Sequence, residues 1–144
     1  MSAIGSPAEA GFTLIESLAV LAITAMISAL VFPSVAQMMD SASLARTVAS
    51  LQGDLRWARG RALASGAPER LAIAPDGQGY AWNGRPSRRW SSPVLLASTD
   101  AIAFFADGSA SPGDLSLSAG GRRALVEVTA TGLVSGGSVA AGRR

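Results

Sequence analysis

The sequence lacks three residue types that carry much of the chemistry of enzyme active sites. It contains no cysteine, no histidine and no lysine, and all twelve basic residues are arginine. Without these side chains the chain has no disulfides, thiolate metal sites or Schiff bases, and it lacks the commonest general base. What remains for catalysis is a small set of carboxylates, serines and a single tyrosine. We therefore predict a protein that is not an enzyme and needs no metal or cofactor.

Length and charge limit the number of domains and the kind of partner that the sequence indicates. The 144 residues suffice for one globular domain and one additional apolar segment. The formal net charge of +2 comes from arginines and acids spread along the chain, so it does not by itself indicate a nucleic-acid partner.

An apolar segment near the start, residues 12–32, contains one charged residue, Glu16. As a helix it would span roughly 31 Å, close to the roughly 30 Å thickness of a bilayer's hydrocarbon core. A transmembrane helix is therefore the first interpretation. A cleavable secretory signal is the second, with a small-x-small site at residues 34–36 and a mature protein beginning at Gln37. Against the second, the preceding region has no basic residue and carries Glu9.

A third interpretation accounts for Glu16 as well. The run Gly-Phe-Thr-Leu-Ile-Glu at residues 11–16 resembles the class III signal of type IV pilins and of the pseudopilins of type II secretion. The resemblance implies that a prepilin peptidase cuts after Gly11 and methylates the new amino terminus, Phe12. It also implies that the helix stays in the inner membrane as a single-pass anchor, with the C-terminal domain in the periplasm.

Glu16 has a specific role under this interpretation. An isolated carboxylate in lipid costs several kcal/mol, and charges that persist there are usually paired. Family resemblance implies that Glu16 of one subunit pairs with the amine of Phe12 in a neighbour during assembly. A carboxylate that only reaches the headgroups is the alternative.

The leader departs from the family pattern. Residues 1–10, MSAIGSPAEA, contain no lysine or arginine, although such leaders usually carry basic residues. The nearest arginine, Arg46, follows the apolar segment, opposite to what the positive-inside rule favours. We expect either a start upstream of Met1 or a leader that relies on its peptidase motif.

The helical pattern continues beyond the apolar segment. Pro33 removes a helix hydrogen bond and predicts a kink there. Apolar residues then recur in steps of three and four, which predicts one buried stripe along an amphipathic helix. The stripe consists of Leu44, Val48, Leu51, Leu55, Ala58 and Ala62. Ser65-Gly66 with Pro68 beyond predicts the end of the helix.

After Pro68 the sequence changes to short β-prone runs between glycine, proline and Asp-Gly turns. Six or seven antiparallel strands are predicted, with a hairpin turn at residues 129–132. One long helix followed only by strands predicts an α+β fold with the helix laid on the sheet region, which is also the pilin-like fold. The predicted parts are a cleaved leader (1–11), a transmembrane and filament-core helix (12–33), an amphipathic helix (34–66) and a β-rich domain (67–144).

Three further segments resemble the GspH/FimT group of minor subunits. They are LQGDLRWARGRALASGAPERLAI (51–73), IAFFADGSASPGDLSLS (102–118) and RRALVEVTATGLVSGG (122–137). The sequence lacks the cysteine pair of many major pilins and the acidic calcium loop of the major pseudopilin. A minor subunit therefore fits better than the main filament subunit.

The resemblance leaves two roles open. One is the minor pseudopilin of type II secretion, near the tip of the pseudopilus, with the major and other minor pseudopilins as partners. The other is a FimT- or FimU-like minor type IV pilin in pilus priming or DNA uptake. The second role would use arginines beside Trp82 and Trp90, a combination that can hold single-stranded nucleic acid. The candidate contacts are Arg88, Arg89, Arg143 and Arg144.

Overall fold

A computed structural model describes residues 13–83, 85–90 and 93–141. The predicted cleavage and methylation positions, Gly11 and Phe12, and the basic tail, Arg143 and Arg144, lie outside these residues. The chain divides into two compact units, residues 1–36 and 37–144. The elements in order are α1 (Leu14–Ser65), β1 (Glu69–Ile73), β2 (Gly79–Trp82), β3 (Arg85–Arg89), β4 (Leu95–Ser98), β5 (Ala103–Phe104), β6 (Gly113–Ala119), β7 (Arg122–Val128) and β8 (Val134–Ala141).

Local capping explains where α1 begins and ends. At its start the side-chain oxygen of Thr13 accepts a hydrogen bond of 3.3 Å from the N–H of Glu16, as expected of an N-cap. At its end Gly66 adopts φ +69°, and its N–H donates to the carbonyl of Ala62 at 3.0 Å. This left-handed glycine confirms the predicted stop. The helix continues through Pro33 without ending; the kink and the division into parts at residue 33 stay predictions.

The strands form two four-stranded antiparallel sheets. The first sheet has the order β3-β2-β1-β5, and the second has the order β4-β6-β7-β8. The α+β fold with a long helix and antiparallel strands is thereby confirmed. The predicted strand count was too low by the strand β3, whose sequence, Arg-Pro-Ser-Arg-Arg, has no apolar alternation.

The predicted apolar stripe of α1 forms one side of the core. Each of its six residues is at most 4 % exposed. The stripe belongs to one hydrophobic cluster with residues from both sheets, among them Phe104, Leu117 and Val126. The amphipathic pattern of this part of the helix therefore identified the core correctly.

Candidate functional site

The first part of α1 exposes nearly all of its large apolar side chains. Leu14 is 80 % exposed and Phe32 is 74 % exposed, and the other large apolar side chains that the structure describes between them are each at least 55 % exposed. The helix is long and apolar enough to cross a membrane, with a mean hydropathy of 2.3 in its most apolar stretch. So large a continuous apolar surface marks a site that contacts lipid or other proteins.

Glu16 lies in the first turn of α1, within this apolar surface. Its side chain is exposed, and no arginine of the described residues lies within ion-pair distance of it. A carboxylate in the first turn is favoured by the positive end of the helix dipole. The geometry leaves this carboxylate accessible to a cation that comes from outside the described chain.

Arg59 connects the second part of the helix with two turns of the domain. Its Nε–H donates to the carbonyl of Gly108 at 2.9 Å, and its Nη2 donates to the carbonyl of Thr131 at 3.1 Å. Gly132, with φ +75°, passes so close that an added Cβ would lie 2.7 Å from Arg59 Nε. The helix, the Asp107-Gly108 turn and the Thr131-Gly132 turn are therefore packed around one guanidinium.

Asp54 forms a corresponding connection on another flank of the helix. Its carboxylate accepts hydrogen bonds from the hydroxyl of Tyr80 and from Arg88 Nε, the latter at 2.9 Å. Burial raises the pKa of Tyr80 above its ordinary value, and the charge of Asp54 raises it further. The hydrogen bond to Asp54 likewise raises the pKa of Arg88. The aspartate thus attaches β2 and β3 to the helix.

The arginines and tryptophans proposed for nucleic acid are arranged differently from an open stacking groove. Arg89 pairs with Asp76 at 2.5 Å. Trp82 is only 3 % exposed, and the indole N–H of Trp90 donates to the carbonyl of Val94 at 2.7 Å. Within the described residues, both rings belong to or pack against the core. Nucleic-acid binding by these residues stays a prediction. The Arg89–Asp76 ion pair and the packing of the two tryptophans do not support it.

One exposed aromatic residue was not identified from the sequence. Trp57 is 54 % exposed, and the guanidinium of Arg61 lies 5.2 Å from the centroid of its ring. With Asp54, Trp82 and Arg88 it lines a pocket of about 320 Å³. The position of Trp57 in the helix, two residues after Leu55 of the buried stripe, is the sequence signal that places it beside the core rather than in it.

The two Asp-Gly sequences are turns, as their composition predicted. Asp107 accepts hydrogen bonds from the hydroxyl and the N–H of Ser109, at 2.6 and 3.0 Å, and these bonds lower its pKa. The N–H of Gln78 lowers the pKa of Asp76 in the same way, and Arg89 adds to the effect. In the described part of the chain no three acidic residues come together as metal ligands.

Comparison with known proteins identifies the N-terminal segment and the fold. Residues 6–32 match the family model described as the prokaryotic N-terminal methylation motif. Two crystal forms of the type IV minor pilin FimU of Pseudomonas aeruginosa share the fold. One has a TM-score of 0.57 at 13 % identity, covering 70 % of this chain and 92 % of FimU. The other has a TM-score of 0.52 at 14 % identity, covering 67 % and 91 %.

A third structure, the minor pseudopilin EpsH of the type 2 secretion system of Vibrio cholerae, matches at a TM-score of 0.49 and 14 % identity. The match covers 62 % of this chain and 92 % of EpsH. No curated protein matches the chain. The predicted prepilin-type signal and the predicted pilin-like fold are confirmed by the motif and by the two FimU structures.

Proposed function

The chain is type IV pilin-like in both its N-terminal motif and its fold, and we propose that it is a non-enzymatic minor subunit of a membrane-anchored, pilus-like filament. One observation carries the proposal. The large apolar side chains that the structure describes between Leu14 and Val35 are exposed, whereas the apolar stripe from Leu44 to Ala62 is buried under the sheets. The first surface has no partner within the described chain.

The exposed apolar surface of α1 needs a partner that covers it, both in the precursor and in the filament. Burying a leucine, isoleucine or phenylalanine side chain contributes roughly 1.5–3 kcal/mol, so leaving a whole row of them in water is strongly unfavourable. In the precursor, lipid of the inner membrane covers this surface. In the filament, the helices of neighbouring subunits replace the lipid, while the domain of residues 37–144 lies in the periplasm.

Processing and assembly depend on the segment around Gly11. Prepilin peptidase removes residues 1–11 and methylates the amino group of Phe12. This new amine and the Glu16 carboxylate of an adjacent subunit neutralise each other in an apolar surrounding, where either charge alone costs several kcal/mol. The exposed position of Glu16 on the helix surface supports this pairing.

The proposed filament is the pseudopilus of type II secretion, in which a minor subunit near the tip helps export folded proteins across the outer membrane. Sequence segments similar to the GspH/FimT group support a minor subunit, and they fit a minor pseudopilin and a minor type IV pilin equally well. The fold shared with FimU supports the second candidate, a minor pilin that takes part in priming a type IV pilus or in DNA uptake.

Deletion and complementation in the native host test the proposal and separate the two candidates. A pseudopilin predicts that deletion abolishes the appearance of exported proteins in the medium while surface pili persist. A minor type IV pilin predicts the reverse result, or a loss of DNA uptake. The proposed function is wrong if deletion changes none of these three properties.

A further inference from the structure

The two sheets of the domain have four edges in total, and the edges differ in how they are protected. An edge strand carries backbone N–H and C=O groups that a further strand can bind, and proteins usually cover or interrupt such edges. A single edge without protection in a stable domain is therefore a candidate binding site.

Segments of the same domain cover two of the edges. Beside β4, the N–H of Leu96 donates to the carbonyl of Gly77 at 2.9 Å, so the turn between β1 and β2 occupies that edge. Beside β5, the N–H of Ser111 donates to the carbonyl of Ala103 at 2.8 Å, and Phe104 forms a bridge with Ala110. Neither edge can accept a strand without displacing these segments.

Sequence composition protects the third edge. Pro86 in β3 has no N–H group to donate, and three of the five residues of this strand are arginines. Proline and repeated charges are the usual means of preventing strand addition at an edge.

The fourth edge, β8, has neither kind of protection beyond Gly136, whose carbonyl accepts a hydrogen bond of 2.8 Å from the Gln52 side chain. Its eight residues, Val-Ser-Gly-Gly-Ser-Val-Ala-Ala, include no proline and no charge. The strand pairs with β7 on one side, and no other described strand pairs with it. Gly136 and Gly137, at positive φ, accompany a register shift in this pairing. The regular open stretch is therefore residues 138–141, as long as the strands β2 and β4.

We propose that the outer edge of β8 binds an extended strand from a different subunit of the same filament. This proposal rests on the proposed function. Backbone hydrogen bonds would supply the affinity, because the unprotected edge matches only another extended chain. A second copy is disfavoured because two β8 strands would pair about a two-fold axis and close into a dimer, whereas contacts along a filament must propagate.

Two arginines next to one end of β8 favour a particular charge in the partner strand. Ala140 and Ala141 pair with Arg123 and Arg122 at the start of β7, and β8 itself offers no carboxylate to them. Because β8 lies between β7 and an added strand, these two arginines are about two strand spacings, roughly 10 Å, from the partner backbone, which is about one Debye length at 0.1 M ionic strength. We therefore expect an acidic rather than a basic residue at that end of the partner strand.

Photocrosslinking of the full chain in cells that assemble the filament tests the proposal. A photocrosslinking amino acid replaces Ser138, which is exposed on β8, and in a control variant it replaces Ala97, which is exposed on β4 at the covered edge of the same sheet. We expect position 138 to give an adduct with another filament subunit, identified by mass spectrometry, and position 97 to give none there. Adducts only with a second copy, only with an exported protein, or with nothing would overturn the proposal.

One further measurement separates failure of the edge proposal from failure of the proposed function. Co-sedimentation with the major subunit in the same samples reports incorporation. If the chain never enters a filament, the proposed function fails and the edge proposal fails with it. If it enters and position 138 gives no subunit adduct, only the edge proposal fails.

Proline provides a second test of the backbone contact. An Ala140→Pro variant should reduce the adduct at least tenfold, whereas Ala140→Thr, which keeps the N–H group, should not. If the Ala140→Pro variant unfolds, hydrogen exchange of the unmodified chain tests strand addition instead. The amides of residues 138–141 must exchange more slowly in the filament than in the isolated full chain, and equal rates contradict strand addition.

Discussion

Arg59 donates its Nε–H to the carbonyl of Gly108, 2.9 Å away, and so joins the helix to a turn forty-nine positions later in the chain. Its Nη2 reaches the carbonyl of Thr131 at 3.1 Å. The Ala-Arg pair of the helix, the Asp-Gly-Ser turn and the Thr-Gly turn belong to the three segments that resemble the GspH/FimT group. In the folded chain these three segments meet at this one side chain, which fixes the two turns against the helix.

Replacing Arg59 tests this connection. Arg59→Met keeps much of the aliphatic side chain but leaves two carbonyls without their charged donor, so it should lower the free energy of unfolding by about 2 kcal/mol. Arg56→Met, at an exposed position of the same helix, is the matched control and should change it by less than about 0.5 kcal/mol. Urea unfolding of the detergent-solubilised chain, followed by circular dichroism, measures both, and equal effects would contradict a specific role for Arg59.

Two glycine substitutions should act in opposite directions. Gly132→Ala places a Cβ against Arg59 and forces alanine into φ +75°, so we expect a loss of about 2–4 kcal/mol. Gly53→Ala meets no atom within 4 Å in the middle of a helix and should stabilise the isolated chain by about 0.5–1 kcal/mol. Thermal unfolding checks the prediction, which fails if both variants shift the midpoint the same way.

Alkaline titration should report on Tyr80 alone. It is the chain's single tyrosine, and no lysine or cysteine side chain titrates beside it. Because its folded-state pKa is raised above its ordinary value of 10.0, the stability it contributes is complete below that pH and is lost as the pH rises through the folded-state value. Tyrosinate absorbance should therefore appear at a higher pH in the folded chain than in the chain unfolded by urea.

The variant Tyr80→Phe supplies the control for this titration. It should abolish the tyrosinate signal and flatten the decline of stability above about pH 10. At neutral pH it should cost about 1 kcal/mol for the lost hydrogen bond to Asp54. An unchanged alkaline decline in this variant would assign the effect to another group.

Much of the fold followed from local patterns in the sequence. The buried stripe from Leu44 to Ala62, the stop at Gly66 and the turn at Gly132 depend on spacing and on backbone conformation, which nearby residues encode. Seven of the eight strands coincide with β-prone runs, although their grouping into two sheets depends on long-range pairing that no local pattern contains.

The contacts that local patterns missed are polar and distant in sequence. The strand β3 has the composition of a solvated loop and becomes a strand because it pairs with β2 and because Arg88 reaches Asp54. The spacing of Arg59 places it off the apolar stripe, but no local pattern indicates its contacts, because its partners lie on turns far along the chain. The motif around Glu16, by contrast, was recognisable because its residues are contiguous.

Glu16 should be required for assembly rather than for membrane insertion. Glu16→Ala removes the proposed partner of the Phe12 amine, so the recovery of the chain in filaments should fall at least tenfold while the amount in the inner membrane stays the same. Thr24→Ala is the matched control in the same helix, because the Thr24 hydroxyl only bonds back to the carbonyl of Val20 at 2.7 Å. A Glu16→Ala chain that assembles as well as the unmodified chain would contradict the pairing.

The mass and sequence of the mature amino terminus show whether the chain is processed after Gly11 as a prepilin. The chain should be purified from host membranes and its first peptide analysed by tandem mass spectrometry. We expect a protein that begins at Phe12 with a methylated amino group, and a precursor retaining residues 1–11 when the prepilin peptidase is absent. A mature protein that begins at Gln37, or one that keeps Gly11 in cells with an active prepilin peptidase, would contradict this expectation.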